Sequence, residues 1–333
     1  MNNTVKGYVC GVIAAVSYGT NPLGALFLYE DGLRPTSVLF YRFAFGAVIL
    51  AAIMIAEHQS FAINKYEAKV LATLGLLFAA SSLSYYYSFM YMAAGLASTI
   101  LFLYPVMVAV IMALFFKEKL TSGTLLSIGL ALGGILLLYQ GDGNGTLSLM
   151  GMILVIISAL TYALYIVMLN RSHIRMSAVK ITFYALVVCV ICNVISSFFD
   201  PAGGLQPLPT PRAWLFAVEL GLLPTVVSLV TMSVAVKHIG STPTAIMGAL
   251  EPLTAVVIGA VVFGEVLTPR IILGIQLILM GVIIIVLAKQ LSYQRMLKLI
   301  PHHNQHQMRH RRTRQPARPF KSRAVGRHHR MTY

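Results

Sequence analysis

Three charged side chains lie deep inside apolar stretches of the sequence: Arg42, Glu219 and Glu251. A charge inside such a stretch costs at least about 3 kcal/mol if the stretch spans a membrane, so each is a candidate functional residue. Glu251 is followed by Pro252, which cannot donate a backbone hydrogen bond to Gly248 and is expected to kink the helix. A carboxyl beside a kink could carry a proton or bind a cationic group of a ligand. The alternative is a carboxyl that only fixes helix packing.

The segment around Glu251 has a counterpart earlier in the chain, so the sequence contains an internal repeat. The separation of Pro105 from Pro252 equals that of Glu118 from Glu265. The first copy reads L-Y-P-V at 103–106 and F-K-E-K-L-T at 116–121, and the second reads L-E-P-L at 250–253 and F-G-E-V-L-T at 263–268. Pro105 and Pro252 are therefore expected to kink equivalent helices, with Tyr104 in the position that Glu251 holds in the second copy.

The elements that must position these residues follow from the composition. The chain is 58% hydrophobic and 11% charged, too apolar for one water-soluble core. Runs of about 20 apolar residues, enough to cross a bilayer, recur along it. Ten spans are predicted, near 7–29, 36–56, 69–91, 95–116, 123–140, 149–169, 178–199, 213–236, 243–263 and 271–290.

The distribution of lysine and arginine predicts the orientation of these spans. With the N-terminus inside, the outer side holds only Arg34, Arg212 and Arg270, so both termini are expected to be cytoplasmic. Five spans per copy is an odd number, which inverts the second copy relative to the first. The predicted fold is an all-α membrane protein of ten transmembrane helices in two inverted five-helix repeats, 7–140 and 149–290. Pairs of small residues, Gly7 with Gly11 and Gly129 with Gly133, are expected to pack helices closely.

Other polar residues suggest a cavity between the spans. Arg42 and Glu219 lie at similar depths, about 9 Å from the outer helix ends, which permits an ion pair. Alternatively, Arg42 extends its head group outward. Each polar side chain taken alone is more often an interhelical hydrogen bond than a ligand contact. Together, the candidates for a polar, aromatic-lined cavity are Glu251, Tyr104, Tyr85, Tyr162, Ser228, Asn21 and Tyr18.

The paired L-Y-P…K-E-K-L-T and L-E-P…G-E-V-L-T segments, together with F-Y-R-F at 40–43, resemble the EamA repeats of the drug/metabolite transporter superfamily. The resemblance covers residues 7 to about 290. It implies an inner-membrane carrier, often an exporter of amino acids or other small metabolites, whose cavity is framed by the first, third and fourth helices of each repeat. Those helices carry Tyr18, Tyr85, Tyr104, Tyr162, Ser228 and Glu251. The second copy has no equivalent of Arg42, which leaves the substrate open.

The end of the chain, 291–333, differs in character, because it is rich in Lys, Arg and His and contains no Asp or Glu. A disordered tail on the anionic inner leaflet is expected, in preference to a nucleic-acid arm or an adventitious metal site. No cofactor, metal or catalytic residue is predicted, because no predicted span contains a histidine or two carboxylates within helical reach. The expected partners are a small-molecule substrate, protons and the bilayer, and the oligomeric state is left open. Rival interpretations are an uncoupled channel or a membrane scaffold, with an enzyme the weakest.

Overall fold

The structure is a computed structural model that describes residues 3–117, 122–139 and 148–299, without 173, 175 and 202. All regular structure in these residues is helical. The helices are α1 (Asn3–Gly19), α2 (Asn21–Glu30), α3 (Pro35–Ala56), α4 (Lys65–Ser88), α5 (Ala94–Leu101), α6 (Tyr104–Phe116), α7 (Ser122–Tyr139), α8 (Leu149–Arg171), α9 (Ala178–Ser197), α10 (Pro211–Gly221), α11 (Ser228–Ile239), α12 (Ser241–Met247), α13 (Leu250–Val262) and α14 (Pro269–Leu299). A π-helical segment, Leu222–Val227, joins α10 to α11.

These helices form the predicted membrane spans. Within the described residues, nine segments are long and apolar enough to cross a bilayer, and the shorter apolar helix Ser122–Leu138 makes a tenth. Large apolar side chains point outward, and those of Leu114, Phe115 and Val261 are 73%, 75% and 79% exposed. Such exposure is expected against lipid and is unfavourable in water. The predicted all-α membrane fold is therefore confirmed. Apart from the last turns of α14, the predicted tail lies outside the described residues.

The helix contacts are preserved when the two repeats are exchanged. The first helix of each repeat packs against the third of the other: α1 against α11, and α8 against α4. The second helices, α3 and α9, pack together, and so do α5 and α13 of the fourth spans. In the fifth spans, Gly134 of α7 and Gly274 of α14 face each other closely. Contacts that stay the same when the two repeats are swapped are expected when a two-fold axis relates two inverted five-helix repeats.

Four of the spans are interrupted, and a proline lies at each interruption. The first span breaks between α1 and α2, where Pro22 lies in the first turn of α2, and the eighth span is interrupted at Pro224, in the π-helical segment. The equivalent fourth helices break beside Pro105 and Pro252, where α5 gives way to α6 and α12 to α13. Proline removes one N–H from the helical ladder, so each break leaves a carbonyl four residues earlier without its usual donor.

Neighbouring groups satisfy three of these four carbonyls. The Asn21 side chain donates to the Tyr18 carbonyl (2.7 Å) beside Pro22. The Thr225 hydroxyl donates to the Leu220 carbonyl (2.9 Å) beside Pro224. Beside Pro252, the backbone N–H of Glu251 donates to the Gly248 carbonyl (2.9 Å). An unpaired carbonyl at this depth would cost roughly several kcal/mol. These hydrogen bonds therefore stabilise the breaks.

Glycines allow the closest helix approaches, but not at all the predicted positions. A Cβ on Gly7 would lie 2.6 Å from Ile239, and one on Gly11 would lie 2.8 Å from the Met247 sulfur, so this pair packs α1 against α11 and α12 as expected. The prediction for the second pair is wrong within the described residues, because a Cβ on Gly129 or Gly133 would meet none of them within 4 Å.

Candidate functional site

Glu251 lies at the centre of the site, on the first turn of α13 directly after the break. Two adjoining cavities of about 30 and 170 Å³ share four lining residues, Glu251, Tyr18, Tyr104 and Tyr162. A water molecule needs roughly 10–15 Å³ of such space. The smaller cavity therefore has room for water alone, whereas the larger can hold a small organic molecule.

The surroundings of Glu251 are mostly aromatic. Its side chain is half-buried, and no described residue forms a hydrogen bond to its carboxylate. The rings of Tyr104 and Tyr162 meet edge to face, with centroids 4.8 Å apart. The Tyr85 hydroxyl shares a hydrogen bond with the Ser98 hydroxyl (2.5 Å) and is not directed to Glu251 by that bond. A carboxylate without donors is poorly stabilised here, and ring faces favour a cation, so this site suits a proton or a cationic group.

Close approach of α1 to the backbone of α13 holds Glu251 at the cavity. A Cβ on Gly19 would lie 2.7 Å from the Glu251 carbonyl oxygen and 2.5 Å from Thr254 Cβ. Only glycine fits between these groups without a shift of one helix. Tyr18 precedes this glycine, and the contact therefore presents Tyr18 and Glu251 to the same cavity.

Arg42 lines the larger cavity from α3 and is only 3% exposed. Its Nε donates to the Thr225 hydroxyl (3.2 Å), and one terminal nitrogen donates to the Tyr86 hydroxyl (2.9 Å). The guanidinium carbon lies 6.0 Å from the ring centroid of Tyr18. All these partners are neutral.

Glu219 lies nearby on α10, but its carboxylate is bonded elsewhere. Its Oε1 accepts a hydrogen bond from the Thr20 hydroxyl (2.7 Å), and its buried Oε2 has no hydrogen-bond partner. Gly24 leaves space for this carboxylate, since a Cβ there would lie 2.4 Å from Oε2. Within the described part of the chain the one salt bridge joins Arg212 to Glu30, so an Arg42–Glu219 ion pair stays a prediction.

The remaining candidates separate into two groups. Ser228 lines the larger cavity and Tyr85 the smaller one. Asn21 lines neither cavity and is 1% exposed. Its amide nitrogen donates a hydrogen bond to the Tyr18 carbonyl, and its amide oxygen accepts one from the Tyr86 hydroxyl (3.1 Å). Asn21 thus supports the residues around the cavity.

Some lining and supporting residues were not predicted. Phe78, Thr182 and Leu186 line the larger cavity, and Tyr86 holds Arg42. The run Tyr85-Tyr86-Tyr87 could have predicted these contacts. Successive positions on a helix point about 100° apart, so three adjacent tyrosines must face three different neighbours. The second of these tyrosines bonds Arg42, and the third bonds Asp200 (3.0 Å).

Aromatic rings and a carboxylate close the bundle at the end predicted to face outward. Phe27 stacks on Phe216 (4.4 Å between centroids) and lies 5.0 Å from Phe263. Glu265, in the loop after α13, accepts hydrogen bonds from the backbone N–H groups of Ala94 (2.7 Å) and Gly95 (3.2 Å) at the start of α5. Burial raises the pKa of the Glu265 carboxyl above its usual value, although the two N–H donors oppose this shift.

Comparisons with known proteins agree with this architecture. A sequence profile of the EamA-like transporter family matches residues 5–140 and 149–287. A protein of Archaeoglobus fulgidus named "Uncharacterized transporter" is 28% identical over 273 residues, which cover 82% of this chain and 93% of that protein. A Clostridium kluyveri protein of the same name is 23% identical over 299 residues, covering 84% and 92%. One solved crystal structure shares the fold, with a TM-score of 0.62 at 18% identity over 87% of this chain and 98% of that one.

The chain therefore belongs to the EamA-like transporter family, and it is a multi-pass membrane protein. The predicted resemblance is confirmed on both copies of the repeat.

Proposed function

We propose that this member of the EamA-like transporter family is a secondary-active carrier that moves small metabolites, such as amino acids or related compounds, out of the cell by alternating access. The observation that carries the proposal is Glu251, whose carboxyl has no hydrogen-bond partner among the described residues and faces two cavities at a helix break. Protonation and release, or binding of a substrate ammonium group, would link the charge on this residue to movement of the two repeats.

The arrangement of the repeats supports alternating access. The helix contacts exchange between copies, so a rocking motion can convert one arrangement into its mirror. Aromatic rings and Glu265 hold one end of the bundle closed. Thr182, near the start of α9, lines the cavity toward the opposite end. A state open to the cytoplasm fits these features.

The carrier is proposed to lie in the inner membrane with both termini in the cytoplasm. The charge distribution supports this, because the short outer segments carry only Arg34, Arg212 and Arg270. Reporter fusions that are active only outside the membrane should be active after Gly203 and inactive after Ser172. The reverse pattern would overturn this orientation.

Transport is proposed in place of catalysis. The family match supports this choice, because the matched family is one of transporters. The experiment that tests the function is flux of radiolabelled amino acids and small amines into proteoliposomes. Saturable flux that responds to a pH gradient is expected. Unsaturable flux would indicate a channel, and no flux above empty liposomes would indicate a scaffold.

A further inference from the structure

Arg42 is a buried cation that forms no salt bridge with a described residue. It is 3% exposed, and the one described salt bridge, between Arg212 and Glu30, does not involve it. The Glu219 carboxylate interacts with Arg42 electrostatically, but its hydrogen bond comes from Thr20. A buried charge without a direct ion pair is costly, so an anion bound in the cavity would stabilise Arg42.

The geometry around Arg42 holds the guanidinium in place and leaves donors free. A guanidinium has five N–H donors, of which the hydroxyls of Thr225 and Tyr86 accept two, and the Tyr18 hydroxyl is a third hydrogen-bonding neighbour. Both hydroxyls donate onward, Thr225 to the Leu220 carbonyl and Tyr86 to Asn21. Their lone pairs are thereby directed to Arg42. The arginine is positioned by neutral groups and faces the cavity with unused donors.

The same cavity contains Glu251, and this determines the charge of the ligand. A single cavity of about 170 Å³ is lined by one guanidinium and one carboxyl, with ring and aliphatic walls from Phe78, Leu186 and Met232. A dianion such as phosphate would leave the cavity with excess negative charge whenever Glu251 is ionised. A molecule with one carboxylate and one ammonium group balances both residues and leaves an apolar part for the walls.

We infer that Arg42 binds the carboxylate of a zwitterionic substrate whose ammonium group lies toward Glu251. This inference rests on the proposed transport function and specifies its substrate class. The free donors of Arg42 would bind the two carboxylate oxygens as a fork, which lysine cannot reproduce. Substrates without a carboxylate would leave the guanidinium unpaired and bind poorly.

The test measures the thermal stability of the purified full-length protein with each of the twenty common amino acids. Every compound that stabilises is then compared with its amide and its decarboxylated amine. For leucine these are leucinamide and 3-methylbutylamine, and 4-methylpentanoate serves as the form without the ammonium group. Loss of the carboxylate should weaken the apparent affinity about tenfold to a hundredfold.

Variants separate ligand binding from folding. Arg42→Gln should bind an amino acid and its amide about equally, and Arg42→Lys should keep the fold and the charge but recover only part of the preference. Arg212→Gln removes an exposed arginine that is 46% accessible and should leave the preference unchanged. Tyr86→Phe removes one acceptor of Arg42 and should weaken carboxylates more than amines.

The outcomes distinguish this inference from the transport proposal. Equal stabilisation of wild type by an acid and its amide, stabilisation by amines alone, or no stabilisation by any of the twenty would overturn the inference. If amines nevertheless show saturable flux in proteoliposomes, the transport proposal survives while the assignment of Arg42 fails. A carboxylate preference that persists in Arg42→Lys and Arg42→Gln alike would also overturn it.

Discussion

The two repeats share a scaffold but differ at the position beside the broken fourth helix, where the first has Tyr104 and the second has Glu251. Both residues follow a helix break that a proline produces, and both line the same two cavities. The symmetric features are backbone features: the prolines, the breaks and the exchange of helix contacts. The asymmetric feature is a titratable side chain. The comparison indicates that the repeats share the backbone of the cavity and differ in whether the side chain beside the break carries a carboxyl group.

A second difference concerns the closure at the helix ends. Glu265 fits against α5 because Gly95 and Gly259 leave room, since a Cβ at either position would lie within 3 Å of Oε2. In the sequence, the positions equivalent to these two glycines are Thr242 and Met112. Glu118, the counterpart of Glu265, lies outside the described residues.

Exchanging the two residues of the first comparison should have the largest effect. Glu251→Tyr makes the second repeat like the first and should reduce transport to the level of empty liposomes, because the cavity then has no carboxyl. Adding Tyr104→Glu returns a carboxyl to the same cavity and should restore part of the flux. The measurement is flux of a stabilising amino acid, with gel filtration to verify folding. Full activity of Glu251→Tyr would show that transport does not depend on a carboxyl at this position.

The contact between α1 and α13 should be sensitive to one methyl group. The equivalent position in α8 is Ala163, whereas Gly19 faces the Glu251 carbonyl oxygen, which cannot move without its helix. Gly19→Ala should lower the free energy of unfolding by about 1–3 kcal/mol through overpacking. Gly129→Ala is the matched control, since a Cβ there would meet no described residue within 4 Å, and it should be neutral or stabilise by up to about 1 kcal/mol. Unfolding in mixed micelles measures both. Equal effects would contradict the close contact.

The smallest effect is expected at Glu265 and should depend on pH. Burial raises the pKa of this carboxyl in the folded protein, so protons bind the folded state more tightly than the unfolded one. The stabilisation is present in full below the unfolded pKa, about 4.3, and is lost as the pH rises through the folded value. Glu265→Gln cannot titrate, so the melting temperature of wild type minus that of the variant should fall as the pH rises from 4 to 8. A difference that rises with pH would mean that the two N–H donors outweigh burial.

Much of the fold was predictable from the sequence because the signals are local. Apolar length predicted the spans, and the shared spacing of Pro105 and Pro252 predicted equivalent breaks in the fourth helices. Tyr18, Tyr104 and Tyr162 were expected near the cavity because they lie in the helices that frame it, and they line both cavities.

The polar contacts were less predictable because they depend on how helices rotate about their axes. The depth of Arg42 was readable from the sequence, but its hydrogen bonds to Tyr86 and Thr225 were not. Asn21 was expected at the cavity, yet Pro22 frees the Tyr18 carbonyl and the asparagine is used to satisfy it. Gly129 and Gly133 have the spacing of a packing motif on a face that meets no described helix.

The most direct test of the central claim is the response of transport to a pH gradient in Glu251→Gln. Uptake and exchange of a stabilising amino acid would be measured in proteoliposomes with and without the gradient, for wild type, Glu251→Gln and Glu251→Asp. Gln keeps the size and hydrogen-bonding capacity but cannot titrate, while Asp titrates with a shorter reach. We expect the Gln form to insert normally and to lose gradient-driven uptake or affinity for the zwitterion, and the Asp form to retain part of both. Unchanged rates and pH dependence in the Gln form would show that Glu251 only packs helices.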